Sequence, residues 1–483
     1  MTTLVGLDVG TSGVKALAVA PDGKVVGSAE VAYPLSTPRP GWAEQDPEDW
    51  WRATQEALGA LDARDVAGIG LSGQMHGLVA LDAAGQVVRP AILWNDQRTA
   101  EECREIEQRV GFERLVELTG NRALTGFTAP KILWLRKHEP DAYARIARIM
   151  LPKDYVRLRL CGEHAIDVAD ASGTLLFDVA RRRWSDDVLD ALEIPREWLP
   201  RVLESPEVSG ETGDGVPVAA GAGDQAAGAV GVGVVDPGPA SVVLGTSGVV
   251  FSALDAYRAD PQARVHVFCH AVPGVWHAMG VMLSAAGSLQ WFHDRLARDV
   301  PYPQLVEEAA GWAPGAEGLT FLPYLAGERT PHADPDARGA FAGLSLRHDR
   351  GALVRAVLEG VALGLRDCLD VVQAVGATPE VARASGGGAR NELWLKIVAS
   401  VLELPVERVA VEEGAAYGAA LLGGVAGGVF TDPAEAVSAC VRPHGRIEPV
   451  PEWIEPYATL RERFRALYPA LRDIPWQVSP KGR

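Results

Sequence analysis

The string GTSGV occurs twice, at residues 10–14 and again at 245–249. Each copy follows a short strand-like run, residues 4–8 in the first case and 242–244 in the second, and each leads into another apolar stretch. Four residues between two strands leave no length for a crossover helix, so the flanking strands are expected to be antiparallel neighbours. Glycine at both ends of the turn permits close backbone approach. Successive N–H groups and two hydroxyls then face one concavity that suits an anion. A single such loop is a common hairpin turn. Two identical ones, each opening a half of the chain, point to a repeated α/β unit that grips a polyphosphate from both sides. Only the first copy is preceded by an acid, Asp8; Leu244 precedes the second. A carboxylate at that strand end can meet Mg²⁺ directly or through water, or cap the turn backbone.

At 483 residues the chain exceeds one ordinary core, which predicts two domains. The sequence Asp236-Pro237-Gly238 marks the expected boundary, giving 1–236 and 237–483. A formal charge of −17 argues against nucleic acid or anionic lipid as a main partner. The opening MTTLVGLDVG has no basic n-region, and five scattered cysteines without a CxxC pair fit a reducing cytoplasm without a zinc site. The Gly/Ala-rich run GAAYGAALLGGVAGGVF from Gly414 is shorter than the roughly 20 apolar residues of a membrane span. It reads as a helix packed closely inside a domain.

Within the first half, Asp46 and Pro47 predict the cap and first turn of a helix over 47–61. Strands are expected at 66–71 and 91–94, with a hairpin over 78–88 turning at Ala84-Gly85, and mostly helix over 99–200. In the second half the strand–GTSG–strand pattern restarts. A strand at 276–283, a helix from 285 and a long amphipathic helix over 353–375 follow.

No GxxxxGK[ST] loop is present, and the GIGLSG at 68–73 leads into a hairpin rather than a helix, so it matches the dinucleotide fingerprint by chance. Asp224, in AGAGDQAAGAVG, projects from small residues at an expected strand-to-helix turn. That setting suits a general base for a sugar hydroxyl, or a helix N-cap. SGQMHG at 72–77 and WNDQR at 94–98 each lie just past a predicted strand, where α/β proteins build sites. Met75, His76, Trp94, Asn95, Asp96, Arg98 and Gln225 are the candidate substrate contacts. SGGGAR at 385–390 precedes a helix starting near Asn391, and its glycines let backbone approach a flat ring or a phosphate.

These segments together resemble the FGGY family of carbohydrate kinases, within the actin/hexokinase/Hsp70-like superfamily. The resemblance rests on GLDVGTSGVK, GFTAPKILWLRKH (126–138), GAGDQAAGAVGVG, LGTSGV, FLPYLAGERTP (321–331) and GAFAGLSLRHDRGALVRAVLEG, in which Ala352 replaces a usual polar residue. Met75-His76 falls where the glycerol-phosphorylating members carry an Arg-Glu pair, so the chain leans toward the xylulose-phosphorylating branch. WAEQDPEDWW, PAILWNDQR, LLPKDYVRLRL and GERTPH agree with that branch, while Gln225 stands where Asn is usual.

The resemblance implies two RNase H-like α/β domains facing a cleft, and transfer of phosphate from ATP to O5 of D-xylulose. Asp224 would be the base and Asp8 would help hold Mg²⁺. Gly10, Thr11, Ser12, Lys15, Gly245, Thr246 and Ser247 would cradle the phosphates. Gly387, Gly388 and Asn391 would border the adenine nucleoside. A cytoplasmic homodimer is the family-level expectation. Rival readings are a kinase for L-xylulose, ribulose, glycerol or gluconate, and an Hsp70-like ATPase acting on a protein partner.

Overall fold

The computed structural model describes residues 2–410 and 413–474. The chain forms two compact units. The first comprises the described part of Met1–Asp236 together with Ala253–His277 and Glu413–Arg442. The second comprises Pro237–Ser252 and the described parts of Ala278–Glu412 and Pro443–Arg483. Asp236 and Pro237 fall in different units. A single boundary does not describe the chain, however, because two later segments return to the first unit.

In the first unit, Thr3–Val9 lies antiparallel to Gly13–Val19, which pairs in turn with Val25–Ala32. On its other side Thr3–Val9 runs parallel to Val66–Gly73, and Pro217–Ala219 follows parallel to that strand. Sheet order is therefore 25–32, 13–19, 3–9, 66–73, 217–219, with Val208–Glu211 at the edge. The second unit repeats this path. Pro239–Leu244 is antiparallel to Gly248–Leu254 and parallel to Val381–Ser385, which pairs parallel with Val406–Val409. From Trp276–Met282 onward the order is 276–282, 248–254, 239–244, 381–385, 406–409 and 443–447. Both GTSG turns thus join the central strand of a sheet to its antiparallel neighbour.

The Gly/Ala-rich helix Gly414–Ala426 packs on the first sheet at backbone contact. A Cβ on Gly70 would lie 1.7 Å from the Ala419 carbonyl oxygen, and one on Gly6 2.0 Å from that of Ala416. Side chains on either surface would force the two elements apart, which explains the glycines on the strands and the small residues on the helix. Helix Asp224–Gly231 meets the same helix, where a Cβ on Gly418 would fall 1.8 Å from the Ala227 oxygen. Among the described residues no helix is long and apolar enough to cross a membrane.

Several local expectations need adjustment. Helix Pro47–Ala60 has Asp46 as its cap, accepting from the Glu48 N–H, as the sequence predicts. The strand expected at 91–94 is only Ala91–Ile92. The hairpin turning at 82–86 closes, with the Val88 N–H donating to the Ala80 oxygen at 2.9 Å and Leu81 bridging Val87, and Val79–Leu81 also pairs antiparallel with Arg148–Met150. The long helix of the second unit runs Arg350–Ala374 and is capped by Asp349, which accepts from the Ala352 N–H at 3.0 Å.

Candidate active site

In the first GTSG loop the carbonyl oxygens are drawn to one side. The Tyr33 hydroxyl and Gln74 Nε2 donate to the Gly10 oxygen, the latter at 3.3 Å, and Gln45 Nε2 donates to the Thr11 oxygen at 2.7 Å. The Tyr33 N–H donates to the Ser12 oxygen at 3.2 Å. Gln45 is itself fixed, its Oε1 accepting from Gln74 Nε2 at 2.9 Å and from the Trp50 indole at 3.0 Å. With its carbonyls engaged, the loop presents a ligand with amide edges and hydroxyls, the polarity that favours phosphate. Trp94, 42% exposed, donates its indole N–H to Thr11 Oγ1 at 3.0 Å, so it borders this loop. Lys15 is ion-paired with Glu413.

Asp8 sits in the strand register opposite Lys15 on one side and Ser72 on the other. Burial raises its pKa to about 6, against the opposing pull of Ser72 and Lys15. Its Oδ1 is buried without a formed hydrogen bond, and so is the Ser72 hydroxyl. An unsatisfied buried carboxylate oxygen beside a phosphate-type loop is the donor a hard divalent cation requires. Asp224 is the first residue of its helix, and the cap is Gly223, so the N-cap alternative does not apply. Burial, and then the charge on Asp8, raise the Asp224 pKa to about 7, while hydrogen bonds from the Gln225 side chain and backbone pull it back. Asp224 therefore senses the charge on Asp8 and is poised near neutrality.

Met75 and His76 adjoin the same corner. A Cβ on Gly223 would stand 2.7 Å from Met75 Cγ, and one on Gly173 2.6 Å from the His76 ring. His76 adopts φ 70° and places Nδ1 2.7 Å from the Gly173 oxygen, with Phe127 edge-on at 4.7 Å. The carbonyl fixes Nδ1 as the protonated nitrogen. His76's own carbonyl accepts from Lys131 Nζ at 2.8 Å and from Thr128 Oγ1 at 3.0 Å. Lys131, Thr128, Gly173, Gln45 and Gln74 escaped the sequence reading. Lys131 and Thr128 lie in GFTAPK, but nothing local in that motif names a backbone carbonyl over fifty residues upstream as their acceptor.

The WNDQR segment divides. Asn95 Oδ1 is buried and unpartnered. Asp96, by contrast, accepts from the Ala43 N–H at 2.7 Å and from Arg98 through its N–H, Nε and NH2. Arg98 also meets Glu44 at 2.7 Å and lies 3.6 Å over the Trp42 ring. Both side chains are closed off from solvent and bonded to one another, while the Arg98 Nη1 that lies 2.7 Å from Glu44 makes no formed hydrogen bond, so the pair braces the loop.

Among the described residues, Asp154, Asp167 and Asp170 form a carboxylate cluster spaced for a cation. Lys153 Nζ already fills it, at 2.8, 2.5 and 2.8 Å from the three in turn. The ammonium is the cation, and the cluster backs the Gly223 corner, where Asp170 Oδ1 would lie 3.0 Å from a Cβ on that glycine.

In the second unit, the Gly245 oxygen accepts from the Ala286 N–H at 2.7 Å, and the Thr246 oxygen from the N–H groups of Ala285 and Gly287 at 2.8 and 3.2 Å. The carbonyls are again tied down, here by the start of helix Ala286–Leu296, and Thr246 and Ser247 are exposed. Gly386, at φ +85°, lies against this loop: a Cβ on it would fall 2.8 Å from the Leu244 carbonyl. A cavity of about 430 Å³ opens alongside, lined by Gly387, Gly388 and Asn391 and by Leu289, Gln290, Tyr302 and others. Asn391 also caps helix Glu392–Leu402 through the Trp394 N–H at 2.9 Å. The apolar wall from 289 to 306 was not foreseen, because neither helix carries a motif.

Residues 3–231 match the N-terminal domain of the FGGY family of carbohydrate kinases, and residues 240–427 match its C-terminal domain. The chain belongs to this family. This FGGY kinase is 44% identical to the xylulose kinase of Escherichia coli (strain K12), over 97% of this chain and 99% of that protein. A crystal structure of a "xyloylose kinase" from Brucella ovis superposes with a TM-score of 0.92 at 42% identity, covering 97% of this chain and 99% of the other. That of xylulose kinase from Rhodospirillum rubrum gives 0.92 at 34% identity, with the same coverage. The two-domain FGGY kinase fold, and membership of an enzyme class that phosphorylates carbohydrates, follow from these matches.

Proposed function

We propose that the chain phosphorylates D-xylulose at O5, using ATP and giving D-xylulose 5-phosphate and ADP. The observation that carries this is the Asp8–Asp224 pair. One acid has an unsatisfied oxygen beside a phosphate-type loop; the other has a pKa of about 7 and directly follows Gly223, which packs against Met75. The xylulose kinases among its relatives support the choice of sugar.

In this reading the sugar hydroxyl attacks the γ-phosphorus as Asp224 takes its proton; the new O–P bond forms while the bond to the bridging oxygen breaks, and ADP leaves with that oxygen. A pKa near the working pH lets the carboxylate accept the proton without trapping it. Asp8 would hold Mg²⁺, which spreads the charge of the phosphates when bound. The Thr11 and Ser12 amides would supply donors to phosphate oxygens, as would those of Gly245, Thr246 and Ser247, while the Gly10 N–H closes the turn on the Gly13 oxygen at 3.0 Å. The 430 Å³ cavity would take the adenine nucleoside against Gly387, Gly388 and Asn391. Met75 gives the sugar an apolar wall and His76 a polar one, while Trp94, Asn95 and Gln225 complete the rim. Asp96 and Arg98 act at one remove, by bracing Asn95.

An ADP-release assay across D-xylulose, L-xylulose, D-ribulose, L-ribulose and glycerol tests the assignment. The highest kcat/KM is expected for D-xylulose. A preference for glycerol would overturn it.

A further inference from the structure

Glu328, within GERTPH, is 2% exposed and has no cationic partner in hydrogen-bond contact among the described residues. Its Oε1 accepts from the Leu283 N–H at 3.0 Å and from the Arg329 N–H at 2.7 Å. The other oxygen is buried and unpartnered. Thr330 grips the same strand: its N–H donates to the Val281 oxygen at 2.9 Å, and its Oγ1 accepts from the Val281 N–H at 3.0 Å. The Glu328 backbone is itself fixed by a reciprocal pair with Asp334, both bonds at 2.8 Å.

What this clamp holds is the end of strand Trp276–Met282. Two residues beyond Leu283, the N–H groups of Ala285, Ala286 and Gly287 take the carbonyls of Gly245 and Thr246. The path from Glu328 to the second GTSG loop is therefore Oε1 to Leu283, one backbone step through Ser284, and three hydrogen bonds. A buried acid is an expensive way to satisfy one strand-end amide. Burial already pushes Glu328 up to about 8. Such a group is retained where geometry matters more than stability.

We propose that Glu328 is a positioning residue for the second phosphate loop: through Leu283 it sets the backbone that turns the Gly245 and Thr246 carbonyls away from the ligand. This rests on the reading of residues 245–247 as a phosphate grip. The acceptor oxygen, not the charge, is what the role requires.

The test compares Glu328→Leu and Glu328→Gln in the full chain, with ADP affinity by calorimetry and separate KM values for ATP and D-xylulose. Glu328→Leu should weaken ADP about tenfold and raise the KM for ATP in parallel, leaving the KM for D-xylulose within about twofold. Glu328→Gln keeps the acceptor and should hold ADP within about threefold of the parent. A folded Glu328→Leu protein with unchanged ADP affinity, or a Gln variant as weak as the Leu variant, would overturn the proposal. If Glu328→Leu does not fold, Thr330→Val decides: the same selective loss for ATP is expected, and none would refute the clamp. Gly387→Trp fills the neighbouring cavity and serves as the control. If it binds ADP normally, the nucleotide reading itself falls and takes the proposal with it. If it loses ADP while Glu328→Leu does not, only the role of Glu328 is wrong.

Discussion

Lys131 Nζ, wholly buried, donates to the carbonyl oxygen of His76 at 2.8 Å and to that of Gly126 at 2.6 Å. Burial lowers its pKa to about 7, and the nitrogen donates whether protonated or neutral. The carbonyl it holds belongs to a residue at φ 70°, a conformation that needs outside support in a residue with a side chain. Lys131→Met should therefore cost about 1–3 kcal/mol in urea unfolding, by stranding two buried carbonyls. It should also raise the KM for the sugar while sparing that for ATP. An unchanged sugar KM would remove Lys131 from any part in substrate placement.

The pair Asp8 and Asp224 predicts how rate depends on pH. With the base at about 7, kcat/KM for the sugar should fall as pH drops below 7. Because the charge on Asp8 is one cause of the raised value, raising Mg²⁺ should move this acid limb to lower pH. In Asp8→Asn the residual activity should show a limb already displaced downward and insensitive to Mg²⁺. A limb unmoved by either change would uncouple the two acids.

Stability carries the same signature with a defined sign. The folded pKa of Asp224 is raised from 3.8 to about 7, so between these values the folded state binds more protons than the unfolded one, and stability falls as pH rises through the window. Asp224→Asn has no such slope. Thermal melts of the metal-free proteins should coincide near pH 4, with the variant gaining an advantage that grows to pH 7 and then levels. Parallel curves across that range would contradict the assigned pKa.

Lys153 is enclosed by Asp154, Asp167 and Asp170. Lys153→Met would leave three buried carboxylates facing one another, and removing one partner of a buried ion pair typically costs about 3–5 kcal/mol. Calorimetric unfolding should show a loss of this size, with added Ca²⁺ or Mg²⁺ failing to restore the parent Tm. Full rescue by either ion would mean that the cluster is a metal site after all.

The sequence made some of this legible and hid the rest for physical reasons. The two GTSG hairpins, the Asp46 cap and the placement of Asp224 at a strand–helix junction depend on neighbours a few residues away, so they can be read locally. The return of helix Gly414–Ala426 to the first sheet cannot, because its glycines and alanines acquire meaning only against Gly6, Gly68 and Gly70. The same holds for Gln74, Lys131 and Glu328, which bond backbone groups distant in the chain. Asp96 and Arg98 show the same limit: that they pair with one another is local, but Glu44 and Trp42, which close the set, lie far upstream in the chain.

The role proposed for Asp224, that of the base, has a direct test. The direct measurement is single-turnover transfer of the γ-phosphoryl group from ATP to D-xylulose by Asp224→Asn, with ADP binding measured on the same sample. With Asp224 as the base, the rate falls by about 10²–10⁴ and ADP affinity is unchanged. Turnover within a few-fold of the parent protein would contradict it.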